Sequence, residues 1–261
     1  METLGLGLGF GLLSALIYTY YLCIRSIYRK NGGVGRQPPI SVKEEAGAAA
    51  LLVTAHPDDE CMFFAPALLW LTGRRLSVHL LCLSTGNFYK QGEIRKKELL
   101  QSCALLGIPS SRVTILDHKA LPDNPELQWD PELVAKLILR HVQIHHIRMV
   151  LTFDRDGVSG HANHIAVYYA VRKLYSKKKL PNECQILVLQ SVNILRKYIS
   201  ILDLPISWMK PHHVMYVLDS WGYQQAKNAM YCHQSQLQWF RHLYLYFSRY
   251  MFINTFHLMS R

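Results

Sequence analysis

The sequence predicts an α/β fold: a Rossmann-like, mostly parallel sheet with helices on both faces, preceded by one N-terminal transmembrane helix. Two observations favour the sheet. From about residue 48 onward, short apolar runs of strand length alternate with longer helical stretches, and glycines close two of those stretches. A third observation favours the membrane helix, because residues 4–24 contain no charged side chain.

The predicted strands are short and rich in apolar residues: Ala49–Ala55, Ser77–Ser84, Arg112–Leu116, Arg148–Phe153, Ile186–Gln190 and Val214–Leu218. The predicted helices between them are longer: Cys61–Thr72, Gln91–Leu106, Pro131–Gln143 and Ala162–Tyr175. Because strands and helices alternate, we expect neighbouring strands to be parallel. Trp221–Phe256 is predicted to form one or two helices, with its aromatic-rich part covering the sheet or lying on a membrane.

The N-terminal segment has the features of a membrane anchor. As a helix, Leu4–Ile24 would measure about 30 Å, the thickness of a bilayer core. Arg25, Arg29 and Lys30 follow it, and the positive-inside bias then places the rest of the chain in the cytoplasm. The alternative is a cleaved signal peptide, but no basic region precedes the apolar run. We therefore expect an anchor over residues 1–30, a linker over 31–47 and the main domain, with a C-terminal helical region, over 48–261.

The net charge indicates which class of partner the protein binds, and the cysteines indicate its cellular compartment. The net charge is +11, yet the basic residues are scattered and no nucleic-acid motif is present. An anionic membrane surface explains the charge more simply than nucleic acid does. The six cysteines have no close pairing, which predicts reduced thiols in a cytosol-facing protein.

Polar residues follow each of the first four predicted strands. His56 follows the first, Gly86-Asn87 the second, Asp117-His118 the third and Asp154–His161 the fourth. Since the carboxyl ends of parallel strands meet at one edge of a sheet, these loops are expected to converge there. Histidine and aspartate in such a place predict a metal site or an acid–base site.

Two short motifs carry most of this prediction. The run His56-Pro57-Asp58-Asp59-Glu60 and the pair His161 and His164 offer the nitrogen and oxygen donors of a catalytic zinc site, which uses three protein ligands and one open position. Adjacent carboxylates point apart, so one aspartate would bind metal and the other would transfer a proton. Each motif alone could equally be a helix start with an aspartate cap or with incidental histidines. Their joint occurrence at two strand ends favours the metal site.

The same residues give the chain a family resemblance. Thr54–Glu60 and Gly160–His164 resemble the LmbE-like zinc de-N-acetylases, and the likeness runs from about Ala49 to Gln190. Three further segments resemble a eukaryotic branch of that family that acts on a glycolipid: Gln91–Leu100, Gln190–Leu204 and Gln236–Asn254.

The resemblance implies a role for each residue of the two motifs. His56, Asp59 and His164 would bind Zn²⁺ or another divalent metal. Asp58 would be the general base that takes a proton from water. His161, when protonated, would stabilise the oxyanion and protonate the leaving amine.

Other positions are less like the family. Asn163 stands where many bacterial relatives carry aspartate, and Ser159 where they carry tyrosine. Arg95 and Asn87 are weaker candidates for substrate binding. A guanidinium suits an inositol phosphate, although Arg95 could equally form a surface ion pair with Glu98.

For function, the resemblance implies hydrolysis of the acetamide of N-acetylglucosaminyl-phosphatidylinositol in the biosynthesis of glycosylphosphatidylinositol (GPI) anchors. It also implies a single-pass protein of the endoplasmic reticulum membrane with its catalytic domain in the cytosol. One alternative is a de-N-acetylase of another N-acetylated sugar or glycoconjugate. A second is a nucleotide-binding or scaffold protein, but the first strand is not followed by GxGxxG.

Overall fold

The computed structural model describes residues 2–31, 49–124 and 127–260, and for residues 2–11 and 31 it describes the backbone alone. The strands are Ala49–Thr54 (β1), Ser77–Cys82 (β2), Val113–Ile115 (β3), Ile147–Phe153 (β4), Gln185–Leu189 (β5), Val214–Val217 (β6) and Ile253–Leu258 (β7). The helices are Glu2–Asn31 (α1), Asp59–Phe63 (α2), Ala65–Gly73 (α3), Gly92–Leu105 (α4), Pro131–Ile144 (α5), Gly157–Gly160 (α6), Ala162–Ser176 (α7), Ile194–Lys197 (α8), Leu204–Met209 (α9), Ser220–Tyr231 (α10) and Trp239–Phe247 (α11).

The seven strands form one sheet in the order β3-β2-β1-β4-β5-β7-β6. The pairs β1–β2, β2–β3, β1–β4 and β4–β5 are parallel, and β7 runs antiparallel to both of its neighbours. The predicted α/β fold with a mostly parallel sheet is confirmed. The strand order reverses direction between β1 and β4, which opens a crevice at their carboxyl ends where such sheets bind ligands.

Helices cover both faces because side chains alternate along β1. Leu52 points into a core shared with α2, α3, α4 and α10. Leu51 and Val53 point the other way, into a core shared with α5 and α7. The six predicted strands are all present, with ends within two residues of the expected ones.

One predicted helix is divided in two. Cys61–Thr72 was expected to be continuous, but α2 ends at Phe63 and α3 begins at Ala65. Pro66 occupies the first turn of α3 and has no N–H to continue the hydrogen bonding of α2.

The prediction that Trp221–Phe256 contains only helices is wrong. Helices α10 and α11 are present, but the segment then enters β7, which lies between β5 and β6. Asn254 interrupts the apolar pattern of this strand. Its buried amide donates to the carbonyl of Phe63 (2.8 Å) and accepts from the N–H of Ala67 (3.1 Å), so a polar residue here ties the strand to α2 and α3.

The transmembrane prediction for the N-terminal segment is not supported. Among the residues with described side chains, no helix has both the length and the apolar character needed to cross a bilayer. The first part of the predicted span, residues 4–11, falls where only the backbone is described. Near its C-terminal end α1 packs on the main domain, where Ile27 contacts a cluster formed by Leu204, Val217 and Ile253. Most of the predicted linker, residues 32–47, lies outside the described residues.

Candidate active site

The loop after β1 places four ionisable side chains at the crevice between β1 and β4. His56, Asp58, Asp59 and Glu60 are all buried, with exposed fractions of 6%, 4%, 2% and 0%. Asp58 has φ 107°, a left-handed conformation that is uncommon outside glycine. Its side chain makes no capping hydrogen bond to α2. The alternative interpretation of Asp58 as a helix cap therefore fails.

The two adjacent carboxylates face different partners, as their spacing predicts. Asp59 Oδ2 accepts hydrogen bonds from the N–H groups of Ala55 (3.0 Å) and His56 (2.9 Å), and its Oδ1 lies 3.2 Å from His164 Nε2. Burial favours a raised pKa for Asp59, but the His164 and His56 imidazoles outweigh it and hold that pKa below its usual range.

The Asp58 carboxylate points to the opposite side. Its Oδ2 lies 3.2 Å from Arg241 Nη2 and 3.7 Å from Arg95 Nη2. The atom is buried and has no hydrogen-bond partner among the described residues. Asp58 therefore faces two guanidinium groups and the cavity, whereas Asp59 faces the histidines.

The paired histidines also differ in what they contact. His164 Nδ1 lies 3.0 Å from the carbonyl of Gly157, which requires a proton on Nδ1, and its Nε2 lies 3.2 Å from the Asp59 carboxylate. Burial favours a lowered pKa for His164, but the Asp59 carboxylate outweighs it and raises that pKa. His161 precedes α7, and its Nδ1 accepts a hydrogen bond from the N–H of Asn163 (3.2 Å). A neutral His161 therefore carries its proton on Nε2.

The pKa of His161 is lowered to about 4, first by burial and then by the nearby His56 and His164. These surroundings favour a neutral ring that donates through Nε2–H, and the protonated form that the resemblance implies stays a prediction.

The donor set fits a divalent metal ion. His164 Nε2 is buried without a hydrogen-bond partner among the described residues, which is the condition of a ligand atom facing a metal position. One ligand atom from each of His56, His161 and His164 lies within 4.8 Å of the other two. That distance holds for the three histidines and not for the predicted set, in which Asp59 Oδ1 lies 3.2 Å from His164 Nε2 and Asp59 Oδ2 lies 3.9 Å from His56 Nδ1. Two candidate sets of three therefore remain: the predicted set with Asp59, and a set in which His161 replaces it.

Asp123 was not predicted, and it completes the surroundings of His56. It lies in the loop after β3, with Oδ1 3.1 Å from His56 Nε2 and Oδ2 3.5 Å from Arg95 Nη1. Asn163 Nδ2 lies 3.0 Å from the same His56 nitrogen. The Asp123 carboxylate requires a proton on that nitrogen, whereas the Asn163 Nδ2–H group requires its lone pair, so the two contacts belong to different tautomers of His56. In the tautomer that pairs with Asp123, the lone pair of His56 Nδ1 is available for a metal.

A buried ion pair between Glu60 and His233 supports the loop that follows β1. Glu60 Oε1 lies 2.8 Å from His233 Nε2 and accepts from the Ser102 hydroxyl (2.5 Å), while its Oε2 accepts from the N–H of Asp58 (3.0 Å). Burial opposes ionisation of both partners, but each charge outweighs that effect, which lowers the pKa of Glu60 and raises the pKa of His233. The pair therefore holds Asp58 in its unusual backbone conformation.

A cavity of about 700 Å³ opens above these residues. Its polar end is lined by His56, Asp58, Asp59, Arg95, Asp123, His161 and His164. Its other lining residues are mainly aromatic and come from the end of α8, the residue after it and α11: Lys197, Tyr198, Trp239, Phe240, Leu243, Tyr244 and Phe247.

The two candidate substrate-binding residues have different positions. Arg95 lines the cavity but is only 7% exposed, and its guanidinium donates to the carbonyls of Gly86 (3.0 Å) and Pro57 (2.6 Å). Asn87 is not among the described residues that line the cavity, and its side-chain oxygen accepts from the N–H of Gly92 (3.0 Å). The loop after β3 likewise contributes Asp123 and not Asp117-His118, which is exposed.

A parallel-stranded α/β domain with a buried His-Asp-His cluster at its strand ends defines the class of LmbE-like deacetylases. Within that class, the chain belongs to the GlcNAc-PI de-N-acetylase (PIG-L) family, whose sequence profile matches residues 51–175. It is 54% identical over 213 residues to the N-acetylglucosaminyl-phosphatidylinositol de-N-acetylase of Bos taurus, covering 82% of this chain and 84% of that protein.

Solved structures agree on the fold. The N,N'-diacetylchitobiose deacetylase of Pyrococcus horikoshii matches 87% of this chain and 88% of its own, with a TM-score of 0.60 and 16% identity. A 4-carboxy-2-hydroxymuconate hydratase of Pseudomonas putida matches 82% and 97%, with a TM-score of 0.58 and 13% identity. Since a deacetylase and a hydratase share this fold, the choice of reaction depends on the side chains of the site.

Proposed function

We propose that this protein hydrolyses the acetamide of N-acetylglucosaminyl-phosphatidylinositol, releasing acetate and leaving glucosaminyl-phosphatidylinositol for GPI-anchor biosynthesis. The observation that carries the proposal is the 54% identity, over most of both chains, to a relative named for that activity. The group of His56, Asp59, His161 and His164 that lines a cavity of about 700 Å³ is consistent with it.

We propose further that His56, Asp59 and His164 hold zinc or another divalent cation. Such a cation supplies positive charge that polarises a carbonyl group and makes water more acidic. We favour Asp59 over His161 as the third ligand because Asp59 Oδ1 lies 3.2 Å from His164 Nε2. Its carboxylate also offsets part of the charge of a divalent ion.

The remaining residues would move the proton and stabilise the developing charge. Asp58 takes a proton from the attacking water and delivers it to the amine that leaves when the C–N bond breaks. His161 donates its Nε2–H to the oxyanion, since its Nδ1 is occupied by the Asn163 N–H. A neutral donor needs no protonated imidazole, so both proton transfers involve the Asp58 carboxylate.

The substrate proposal makes a measurable prediction. A short-chain N-acetylglucosaminyl-phosphatidylinositol analogue should be turned over with a much higher kcat/KM than free N-acetylglucosamine or N,N'-diacetylchitobiose, because remote parts of a substrate contribute to transition-state binding. Released acetate is the measured quantity. A kcat/KM for either soluble sugar that equals or exceeds that of the glycolipid analogue would favour the alternative, a de-N-acetylase of another N-acetylated sugar.

We also propose that the protein works at the cytosolic face of the endoplasmic reticulum membrane. The compartment follows from the resemblance alone. Membrane contact has structural support, because the apolar side chains of α1 between Leu12 and Leu22 are exposed, and so are Trp239, Phe240 and Phe247 beside the cavity. Exposed apolar patches of this kind mark interaction sites, membranes among them.

Protease treatment of sealed microsomes tests this location. The main domain should sediment with the microsomes and be degraded without detergent, since a cytosolic domain is accessible to the protease. A luminal marker protein that stays intact is the control. Protection of the main domain until detergent is added would contradict the orientation, and recovery of the protein in the supernatant would contradict membrane attachment.

A further inference from the structure

The aromatic wall of the cavity contains a lysine whose environment is unusual. Lys197 ends α8, is half-buried, and faces the cavity that contains Asp58 and the histidines. Its ammonium lies 5.7 Å from the centre of the Tyr198 ring. Among the described residues, no carboxylate forms an ion pair with it. Burial lowers the pKa of Lys197, and the positive charge of Arg241 lowers it further.

Arg241 links this lysine to the catalytic end of the cavity. Its Nη2 lies 3.2 Å from Asp58 Oδ2, and its side chain is 21% exposed. The positive charge of the same Arg241 side chain also lowers the pKa of Lys197. Lys197 and Arg241 therefore face the same cavity as Arg95, and among the described residues the only carboxylate that pairs with either Lys197 or Arg241 is Asp58. A partly desolvated ammonium without a counterion is unfavourable, and a bound anion removes that cost.

We infer that Lys197, with Arg241 beside it, forms a subsite for the phosphodiester of a lipid-linked substrate. The inference rests on the proposed function, and it names which residues take the charged part of that substrate. Arg95 is a poorer candidate, because its guanidinium already donates to two carbonyls below the cavity floor.

The inferred subsite assigns each part of the proposed substrate to residues that line the cavity. The acetamide is at one end of the glycolipid, followed by the sugar, the inositol, the phosphate and the acyl chains. With the acetamide at Asp58 and His161, the phosphate would lie toward Lys197. The acyl chains would then pass the exposed aromatic side chains of α11, which include Trp239 and Phe247.

The test uses the full-length detergent-solubilised protein and two water-soluble substrates that differ only in the phosphate. N-acetylglucosaminyl-inositol phosphate and N-acetylglucosaminyl-inositol are compared for wild type, Lys197→Gln and Lys197→Arg. We expect Lys197→Gln to lower the preference for the phosphate-bearing substrate by about 10-fold to 100-fold, the effect of one charge-assisted hydrogen bond. Lys197→Arg should retain most of the preference. Lys177→Gln, which changes a lysine that pairs with Glu132 away from this cavity, is the matched control.

A binding measurement separates this inference from the proposed function. Glycerophosphoinositol should bind wild type about tenfold or more tighter than Lys197→Gln, whether or not either substrate is hydrolysed. If wild type hydrolyses neither substrate, the proposed function is wrong, and Lys197-dependent binding of glycerophosphoinositol would still support the subsite. Equal binding to both proteins, or equal loss of rate on both substrates, would overturn the subsite. If inorganic phosphate competes as well as glycerophosphoinositol, Lys197 forms a general anion site and the inferred phosphodiester subsite is wrong.

Discussion

Alanine at His56, Asp59 or His164 is expected to abolish stoichiometric metal binding, and activity with it. Each substitution removes one of three protein ligands. Loss of a residue that only hydrogen-bonds to a ligand typically lowers metal affinity by roughly 10–100-fold, and loss of a ligand itself should lower it further. Asp123→Ala removes such a partner from His56 Nε2 and should fall in that smaller range. Elemental analysis of purified protein, with zinc titration against a chelator, measures both effects.

His161→Ala is the comparison that decides between the two donor sets. The distances among the three histidines allow His161 to replace Asp59 as a ligand. If the proposed set is right, His161→Ala keeps its metal and Asp59→Ala does not. The reverse result would assign the metal to three histidines. If the alanine variants of His56, Asp59, His161 and His164 all keep their full metal content, a metal site at this crevice is excluded.

Asp58→Asn is expected to keep its metal and lose activity by about 10²–10⁴, the usual contribution of a general base. The substitution preserves shape, and the Asp58 side chain points toward Arg241 and Arg95, away from the His164 nitrogen that Asp59 faces. His161→Ala should lower kcat by about 10²–10³, because it removes a donor to the oxyanion. The measurements are acetate release and bound metal on the same preparations.

Controls must separate lost chemistry from lost structure. Asp58 is buried and its backbone is held in a left-handed conformation by Glu60, so each variant needs an unchanged circular dichroism spectrum and a Tm close to wild type. A folded, metal-bound Asp58→Asn with near-normal turnover would move the proton-transfer role to another residue. If Asp58→Asn loses its metal while Asp59→Asn retains metal and activity, the two aspartates have exchanged roles.

The sequence predicted the part of the fold that depends on local pattern. Strands such as Ala49–Thr54 are apolar up to their last residue because they are buried on both faces of a parallel sheet, and their ends fall within two residues of prediction. The break at Phe64 was missed because every residue around it is apolar. Strand β7 was missed because Asn254 and Thr255 are buried polar residues whose partners lie far away in sequence.

The same limit applies to the site. His56, Asp58, Asp59, His161 and His164 were found from two compact motifs and are brought together in one cavity. Asp123, His233 and Arg241 were missed because each is defined by its spatial partner: His56, Glu60 and Asp58 respectively. No spacing in a single sequence encodes such contacts. For Arg95 the residue was noticed, but its burial was not foreseeable from a helix with so many charged neighbours.

The position of β7 within the sheet has a consequence during synthesis on the ribosome. Strand β6 emerges first, but β7 is its only partner among the strands that the structure describes, and β5 pairs with β7 on its other side. Until β7 has been translated, the nascent chain exposes an unpaired edge on β5 and leaves β6 without a place in the sheet. Such edges pair readily with other chains, so we expect the nascent chain to be prone to aggregation in the interval before β7 emerges.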